Sequence, residues 1–239
     1  MSESGIVAIV QARMGSSRLP GKSFELIAGL PVVEIVLRRL ERAQNLRHIV
    51  LATSNDPKDD ILARHVSRIG FEVYRGSEND LVDRFYTVAK KHGCENLLRA
   101  TADNVFMDWT EVDRQIEHGL KNDLDFVTWQ NPDFPDRMND FAGEFISFSG
   151  LDHVYNSTQD PFDREHVYPY FLNNEDKFKV QRLDVAECLR TDIKFDLDEE
   201  ADLHVVRAAG ENMRDPILTP TWEIVKAAKR LNFIVPDKY

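Results

Sequence analysis

Residues 6–22 read IVAIVQARMGSSRLPGK, an apolar run followed at once by a loop of small and basic residues. The apolar run at 6–10 is typical of a strand buried on both faces of a parallel sheet. The loop contains the small residues Gly15, Ser16 and Ser17, which let backbone N–H groups approach a ligand. Its basic residues, Arg13, Arg18 and Lys22, add positive charge. A basic loop at the carboxyl end of a first parallel strand predicts a polyphosphate site.

The charge of the whole chain sets this loop apart. The formal net charge is -11, yet residues 5–24 contain no acidic residue. The loop has no GxGxxG pattern, and Ser16 stands where a P-loop would have its first glycine. An ordinary turn leading into a helix therefore stays open as an alternative. The acidic chain argues against a long nucleic acid as partner, which would need a broad basic face.

Helix and strand patterns alternate along the first hundred residues. The predicted strands lie at 6–10, 48–53, 71–74 and 96–101, and the predicted helices at 32–43, 57–69 and 80–91. This alternation predicts a parallel sheet with helices on both faces. The second half is less regular, with predicted helices at 109–121, 151–156, 164–173, 200–209 and 221–231 and predicted strands at 125–129, 144–148, 178–183 and 193–197.

Length and composition indicate an ordinary globular chain. Its 239 residues are enough for one α/β domain with a large core. No apolar run approaches the roughly 20 residues of a membrane span, and the N-terminus is unlike a signal peptide, so we expect a cytoplasmic protein with no membrane partner. Cys94 and Cys188 are too few and too far apart for a disulfide framework or a cysteine metal site, and we expect each to be buried.

Residues 11–22 resemble the N-terminal signature of the cytidylyltransferase-like family, which includes CMP-Kdo synthetases, CMP-sialate synthetases and the spore-coat polysaccharide biosynthesis protein F group. The last group matches best. Five further blocks match in order along the chain: Ala52-Thr53-Ser54-Asn55 followed by Asp59-Asp60, Tyr74-Arg75-Gly76-Ser77-Glu78 running to Asp83-Arg84, Arg99-Ala100-Thr101-Ala102-Asp103, Arg164-Glu165-His166-Val167, and Asp198 with Asp202-Leu203.

The resemblance implies a single Rossmann-like nucleotidyltransferase domain of the GT-A type over residues 1–239, with 130–175 as a lid and dimerisation arm. It implies an Mg²⁺-dependent enzyme that transfers CMP from CTP to an acidic sugar or other small acceptor and releases pyrophosphate. It further implies a homodimer and a place in surface polysaccharide or glycoconjugate synthesis.

Three aspartates are the predicted metal ligands. Mg²⁺ takes one or two protein carboxylates together with water and phosphate oxygens. Asp103 directly follows a predicted buried strand, and the resemblance makes it a metal ligand. Asp198 matches the first Asp of another family block, and Asp196 shares one face of a predicted strand with it. Helix capping and interaction with a helix dipole are the alternative roles for these acids.

The remaining site residues are predicted from the basic loop and from the family blocks. Arg13, Lys22 and Asp103 are the predicted catalytic residues. The predicted nucleotide-binding residues are Gln11, Ala12, Arg13, Gly15, Ser16, Ser17, Arg18, Lys22, Ser54 and Arg75. The predicted acceptor-binding residues are Arg137, Arg164, Glu165, His166 and Lys194, whose cations suit an acceptor carboxylate. A histidine beside aromatic residues, as at 166, is alternatively a packed residue.

The chain departs from the family pattern at several positions. Ala102, Val105 and Glu199-Glu200 stand where the family usually has Gly, Pro and Thr-Pro. These departures bear on the acceptor more than on the reaction class. Two other functions stay open: a glycosyltransferase that takes a nucleotide sugar as donor, and a non-catalytic nucleotide-binding partner. Pyrophosphate release separates the predicted enzyme from both.

Overall fold

The computed structural model describes residues 5–129, 141–211 and 213–231. Its strands are β1 (Ile6–Gln11), β2 (Leu26–Ile27), β3 (Leu30–Pro31), β4 (Leu46–Ser54), β5 (Glu72–Gly76), β6 (Asn96–Thr101), β7 (Phe126–Thr128), β8 (Glu144–Ser147) and β9 (Val180–Arg182). Its α-helices are α1 (Val32–Leu40), α2 (Asp60–Arg68), α3 (Leu81–His92), α4 (Trp109–Lys121), α5 (Phe148–Ser157), α6 (Pro161–His166), α7 (Tyr168–Asn173), α8 (Glu200–Glu211) and α9 (Thr221–Arg230).

A seven-stranded sheet in the order β5-β4-β1-β6-β8-β7-β9 forms the centre of the described structure. The strands β5, β4, β1 and β6 are parallel, whereas β8 runs antiparallel to both β6 and β7. The predicted α/β fold with a mostly parallel sheet is therefore confirmed. The carboxyl ends of β1, β4, β5 and β6 share one edge, where ligands bind in folds of this kind.

The sequence of β1 explains its central position. Val7, Ala8, Ile9 and Val10 have no exposed surface. Successive side chains of a strand point to opposite faces: Ala8 and Val10 belong to the core that includes α1, α2 and α4, and Val7 and Ile9 belong to the core that includes α3 and α5. The predicted helices on both faces of the sheet are confirmed. Because residues 6–10 are all apolar, both faces of β1 must be buried against them.

Several predicted elements end differently in the structure. The predicted helix at 164–173 is two helices, α6 and α7, because buried Val167 between them has a φ of 68°. The predicted strand at 193–197 is wrong, since within the described part of the chain only one bridge, between Asn104 and Asp196, pairs that segment. Phe148 starts α5 rather than ending β8, because the Ser147 side chain accepts a hydrogen bond from the Gly150 N–H and caps the helix.

The predicted lid and dimerisation arm at 130–175 is only partly described. Residues 130–140, which include the predicted acceptor-binding residue Arg137, lie outside the described residues. Of the remainder, β8 pairs with β6, and α5 and α6 pack against α3. The single-domain count and a role of this region in closure or dimerisation stay predictions. Among the described helices, none has the length and apolar character to cross a membrane.

Arg39 of α1 is a fully buried side chain that ties distant parts of the chain together. Its Nε donates to the Met107 carbonyl oxygen at 2.8 Å, and its guanidinium also donates to Pro216 O at 2.7 Å and to Thr221 Oγ1 at 2.7 Å. Burial lowers the Arg39 pKa to about 10. The group still carries its charge at neutral pH and fixes the segment before α9 against α1.

Candidate active site

A cavity of about 310 Å³ lies at the carboxyl edge of β1 and β6. Most of the predicted site residues line it: Gln11, Ala12, Arg13, Ser16, Ser17, Arg18, Lys22, Asp103, Glu165, His166 and Asp198. Five further lining residues were not among those predicted: Ser23, Glu78, Leu81, Arg84 and Ala102. The fold thus brings the basic loop together with two of the three predicted metal ligands and with the end of α6.

The basic loop after β1 closes on itself through backbone hydrogen bonds. The Gly21 N–H donates to the Met14 carbonyl oxygen at 3.2 Å, and the Leu19 N–H donates to Ser16 Oγ at 3.2 Å. Gly21 has a φ of 78°, a conformation that glycine adopts without steric cost. This turn places Lys22 at the start of a short 3₁₀ helix, Lys22–Phe24, on the cavity wall.

Lys22 lies between the two predicted metal ligands that line the cavity. Its Nζ is 2.8 Å from Asp103 Oδ2 and 3.2 Å from Asp198 Oδ1. The ammonium also donates to the Leu197 carbonyl oxygen at 2.8 Å. The Leu197 N–H donates to the Asp103 carbonyl oxygen at 3.0 Å, which holds the segment carrying Asp198 beside the end of β6. One ammonium therefore pairs with two carboxylates that are far apart in the sequence.

A second layer of charges surrounds Asp198. Arg18 lies 2.9 Å and Lys194 3.3 Å from its carboxylate oxygens. Burial of the Asp198 carboxyl acts to raise its pKa, but the charges of Lys22 and Lys194 outweigh burial, and the pKa lies below its ordinary value. Asp202 accepts hydrogen bonds from the Asp198 N–H at 2.9 Å and from Lys194 Nζ at 2.7 Å. Asp198 is consequently an anion held in place by its surroundings.

Arg13 connects the basic loop to the opposite wall of the cavity. Its guanidinium lies 3.2 Å from Glu165 Oε1 on α6 and 3.8 Å from Glu78 Oε1 in the loop after β5. Glu78 also pairs with Lys58 at 2.9 Å. A ligand that binds the Arg13 guanidinium therefore competes with the Glu165 carboxylate.

Arg84 is a buried cation of the cavity wall that the sequence-based prediction left out. It is 5% exposed, and its Nη1 donates to the Ala52 carbonyl oxygen at 3.2 Å. Burial lowers the pKa of Arg84, and the charge of Arg13 lowers it further. The Asp83-Arg84 pair ends one of the family blocks, and this was the signal in the sequence that pointed to it. Glu78 stands in the same block.

Apart from Arg137, which is not among the described residues, the structure places the other predicted site residues outside the cavity lining. Ser54 is fully buried and donates its hydroxyl to Asp59, and Gly15 lies against the side chain of Lys58. Arg75 pairs with Asp60 at 2.6 Å, and Arg164 pairs with Asp80 at 2.6 Å.

The two remaining predicted residues lie in the segment before α8. Lys194 pairs with Asp202, and Asp196 lies 3.5 Å from the same ammonium. The described residues outside the lining can affect ligand binding indirectly. Those in ion pairs, such as Arg75, Arg164 and Lys194, could contact a ligand directly only if the ion pair opened.

The donor set of the cavity fits a hard divalent cation. Asp103 Oδ2 and Asp198 Oδ1 already share one cationic partner, the ammonium of Lys22. No group of three or more Asp, Glu, His or Cys residues is placed to hold a metal within the described residues. Mg²⁺ takes one or two protein carboxylates, with water and phosphate oxygens as its other ligands, so Asp103 and Asp198 beside the basic loop are a suitable donor set.

Comparisons with known proteins agree with the geometry. The family model described as cytidylyltransferase matches residues 7–218. The spore coat polysaccharide biosynthesis protein SpsF of Bacillus subtilis is 30% identical over 210 residues, which cover 85% of each chain. The protein MJ1063 of Methanocaldococcus jannaschii is 32% identical over 198 residues, which cover 82% of this chain and 79% of that protein. The predicted family resemblance is confirmed.

Solved structures share the fold. A cytidylyltransferase from Leptospira borgpetersenii has a TM-score of 0.86 at 23% identity, covering 98% of this chain and 97% of that one. A CMP:2-keto-3-deoxy-manno-octonic acid synthetase complexed with CTP has a TM-score of 0.67 at 18% identity, covering 86% and 98% of the two chains. The architecture that surrounds the cavity is therefore that of known nucleotidyltransferases.

Proposed function

The chain belongs to the cytidylyltransferase family and is a nucleotidyltransferase, and from this premise we propose that it transfers CMP from CTP to an acidic sugar or another small acceptor. Pyrophosphate is the leaving group and Mg²⁺ the cofactor. The name of the Bacillus subtilis relative, a spore coat polysaccharide biosynthesis protein, supports a place in surface polysaccharide or glycoconjugate synthesis. A homodimer and a cytoplasmic location complete the proposal.

The position of Lys22 carries the proposal. Lys22 joins the basic loop to Asp103 and Asp198, which supports a phosphate site and a metal site that meet at one point of the cavity. Asp103 and Asp198 would hold the Mg²⁺ ion, whose positive charge would stabilise the negative charge on the α-phosphoryl group and pyrophosphate. Arg13, Arg18 and Lys22 exchange carboxylate partners for phosphate oxygens when the triphosphate binds. The nucleophile belongs to the acceptor, and the protein contributes positioning and charge.

Gln11 supports cytosine as the base. It ends β1 and lines the cavity, and its side-chain oxygen is buried without a hydrogen-bond donor among the described residues. Rotation of the Gln11 side chain toward the cavity would offer this oxygen to the exocyclic amino group of cytosine, which is a donor, whereas uracil carries an acceptor at that position. A buried acceptor left without a donor costs about 1–3 kcal/mol, which is enough to favour one base over another.

The acceptor is proposed to bind beside α6. Glu165 and His166 line the cavity there, and Arg13 reaches Glu165 from the other wall. Arg164 and Lys194 hold internal ion pairs and lie outside the lining. Arg84, which is buried in the lining, is an additional cation for a carboxylate of the acceptor.

Pyrophosphate release tests the proposal. CTP, ATP, GTP and UTP are each incubated with Mg²⁺, the enzyme and a panel of acidic sugars and phosphorylated small acids. We expect release with CTP and one acceptor class, and a loss of about 100-fold or more in Asp103→Asn. Asp152→Asn, a change on α5 away from the cavity lining, is the matched control and should retain full activity. CTP binding without release for any acceptor would instead favour a nucleotide-sugar transferase or a binding partner.

A further inference from the structure

Asp59 is a fully buried carboxylate outside the cavity lining. It ends the short 3₁₀ helix Pro57–Asp59, which follows β4. It directly precedes α2, yet its side chain makes no capping hydrogen bond to that helix. Burial of a carboxylate is costly unless its oxygens accept hydrogen bonds. The donors to the Asp59 carboxylate therefore show which parts of the chain it holds together.

The donors come from the ends of two neighbouring strands. Asp59 Oδ1 accepts a hydrogen bond from the Met14 N–H at 2.7 Å. Asp59 Oδ2 accepts from the Ser54 N–H at 3.2 Å and from the Ser54 hydroxyl. Ser54 is the last residue of β4, and Met14 is the third residue after β1. The carboxylate thus fastens the start of the basic loop to the rigid end of the adjacent strand.

The backbone of Met14 is hydrogen-bonded through both its N–H and its carbonyl oxygen, and these bonds link the two ends of the basic loop. Its N–H is held by Asp59, and its carbonyl oxygen accepts the hydrogen bond from the Gly21 N–H at 3.2 Å. Arg13 directly precedes Met14, and Lys22 directly follows Gly21. A shift of the Met14 backbone would therefore move both cations, which lie at opposite ends of the loop in sequence.

We propose that Asp59 is a positioning residue of the nucleotide site, which fixes Arg13 and Lys22 through the Met14 backbone without touching the ligand. Ser54 supports it by satisfying the second carboxylate oxygen. The inference rests on the proposed function in that the basic loop binds the triphosphate of CTP. It also changes the role of Ser54, from a direct nucleotide contact to support of the loop.

The first test is made on the protein without nucleotide. Backbone amide hydrogen exchange is measured for Met14 in the wild type, in Asp59→Asn and in Asp108→Asn, with the β1 amides as internal reference. Asp108 is a matched control, because it is 6% exposed and accepts the N–H groups of Thr110 and Glu111 outside the cavity lining. We expect Met14 to exchange at least tenfold faster, relative to β1, in Asp59→Asn only.

The second test measures the Kd of CTP with Mg²⁺ by calorimetry. We expect the Kd to rise at least tenfold in Asp59→Asn, about threefold in Ser54→Ala, and less than twofold in Asp108→Asn. Ser54→Ala retains the carboxylate and the Met14 hydrogen bond, so it keeps the test decisive if Asp59→Asn does not fold.

The outcomes are distinguishable from those of the proposed function. If Asp59→Asn and Asp108→Asn give the same Met14 exchange and the same Kd, the inference is overturned. It is also overturned if Asp59→Asn does not fold and Ser54→Ala leaves the Kd of CTP at the wild-type value. If the wild type binds no CTP, the proposed function fails, and Met14 exchange alone decides whether Asp59 fixes the loop.

Discussion

Lys22 is the residue at which the charges of the cavity converge. Its ammonium contacts Asp103 and Asp198 and has a side chain that is only 16% exposed. The sequence pointed to these three residues in two ways: Lys22 belongs to the basic loop, and Asp103 and Asp198 match family blocks, Asp103 directly after a predicted strand. It did not identify the contact among them, which depends on how the segment at 197–198 packs beside β6.

Substitution of Lys22 should change the response to Mg²⁺. In Lys22→Met the two carboxylates lose their shared cation, so we expect Mg²⁺ to raise the Tm of the nucleotide-free variant more than that of the wild type. Pyrophosphate release should fall by about 100-fold or more. The measurement is a thermal scan at increasing Mg²⁺ concentrations. Lys121→Met, at the exposed end of α4, is the control, and an equal Mg²⁺ response in all three proteins would contradict the expectation.

The two cysteines differ in exposure, which corrects the expectation that both are buried. Cys94 is buried, and burial raises its pKa to about 11, whereas Cys188 is exposed. Because the thiolate is the reactive form, we expect a thiol reagent at pH 8 to modify one cysteine in the native protein and the second only after unfolding. Cys188→Ser should abolish the native reaction. Rapid modification of that variant would show that Cys94 is accessible.

At the scale of elements, the regular helices and strands of the first half, and the helix that follows them at 109–121, were predictable from the sequence. The helix at 109–121 coincides with α4, because apolar spacing and the Asp108 cap act locally. The break between α6 and α7 was not predictable. It depends on Val167, a β-branched residue with a positive φ, which only surrounding packing can maintain. That break directly follows Glu165 and His166, two residues of the cavity wall.

Helix α1 offers a test of how the last helix is attached. In Arg39→Met the carbonyl oxygens of Met107 and Pro216 lose a buried donor, so we expect the free energy of unfolding to fall by about 3 kcal/mol. Urea denaturation measures it. Arg38→Met is the matched control on the same helix, since Arg38 forms a partly exposed i,i+4 ion pair with Glu34 and its loss should cost less than about 1 kcal/mol. Equal losses in the two variants would contradict the assignment.

For the whole molecule, the common edge of the parallel strands could be predicted from the sequence, whereas the helices that pack beside that edge could not. The strand patterns predicted a parallel sheet and therefore a common edge for the ends of β1 and β6. They carried no information on α3 and α6, whose residues Arg84 and Glu165 approach that edge through packing between segments distant in sequence. Glu165 was predicted only through the family resemblance.

The charge pattern of the whole chain predicts how anions compete. Arg13, Arg18 and Lys22 each already contact a carboxylate, so a ligand gains affinity only if it replaces several contacts at once. We expect inorganic tripolyphosphate to inhibit CTP binding at concentrations at least about 100-fold lower than inorganic phosphate does. Competition calorimetry at constant ionic strength measures both. Similar inhibition by the two anions would contradict this expectation.

Because these three cations are paired with carboxylates, we expect the loop to prefer anions with several linked charged groups over simple anions. A monovalent or divalent anion from the surrounding solution meets cations that are already neutralised, and it gains little by exchanging one partner for another. A triphosphate, which carries several linked phosphate groups, would displace the carboxylates together. Carboxylates of an acidic protein can in this way weaken the binding of abundant simple anions to a basic loop, while a polyvalent anion still competes for it.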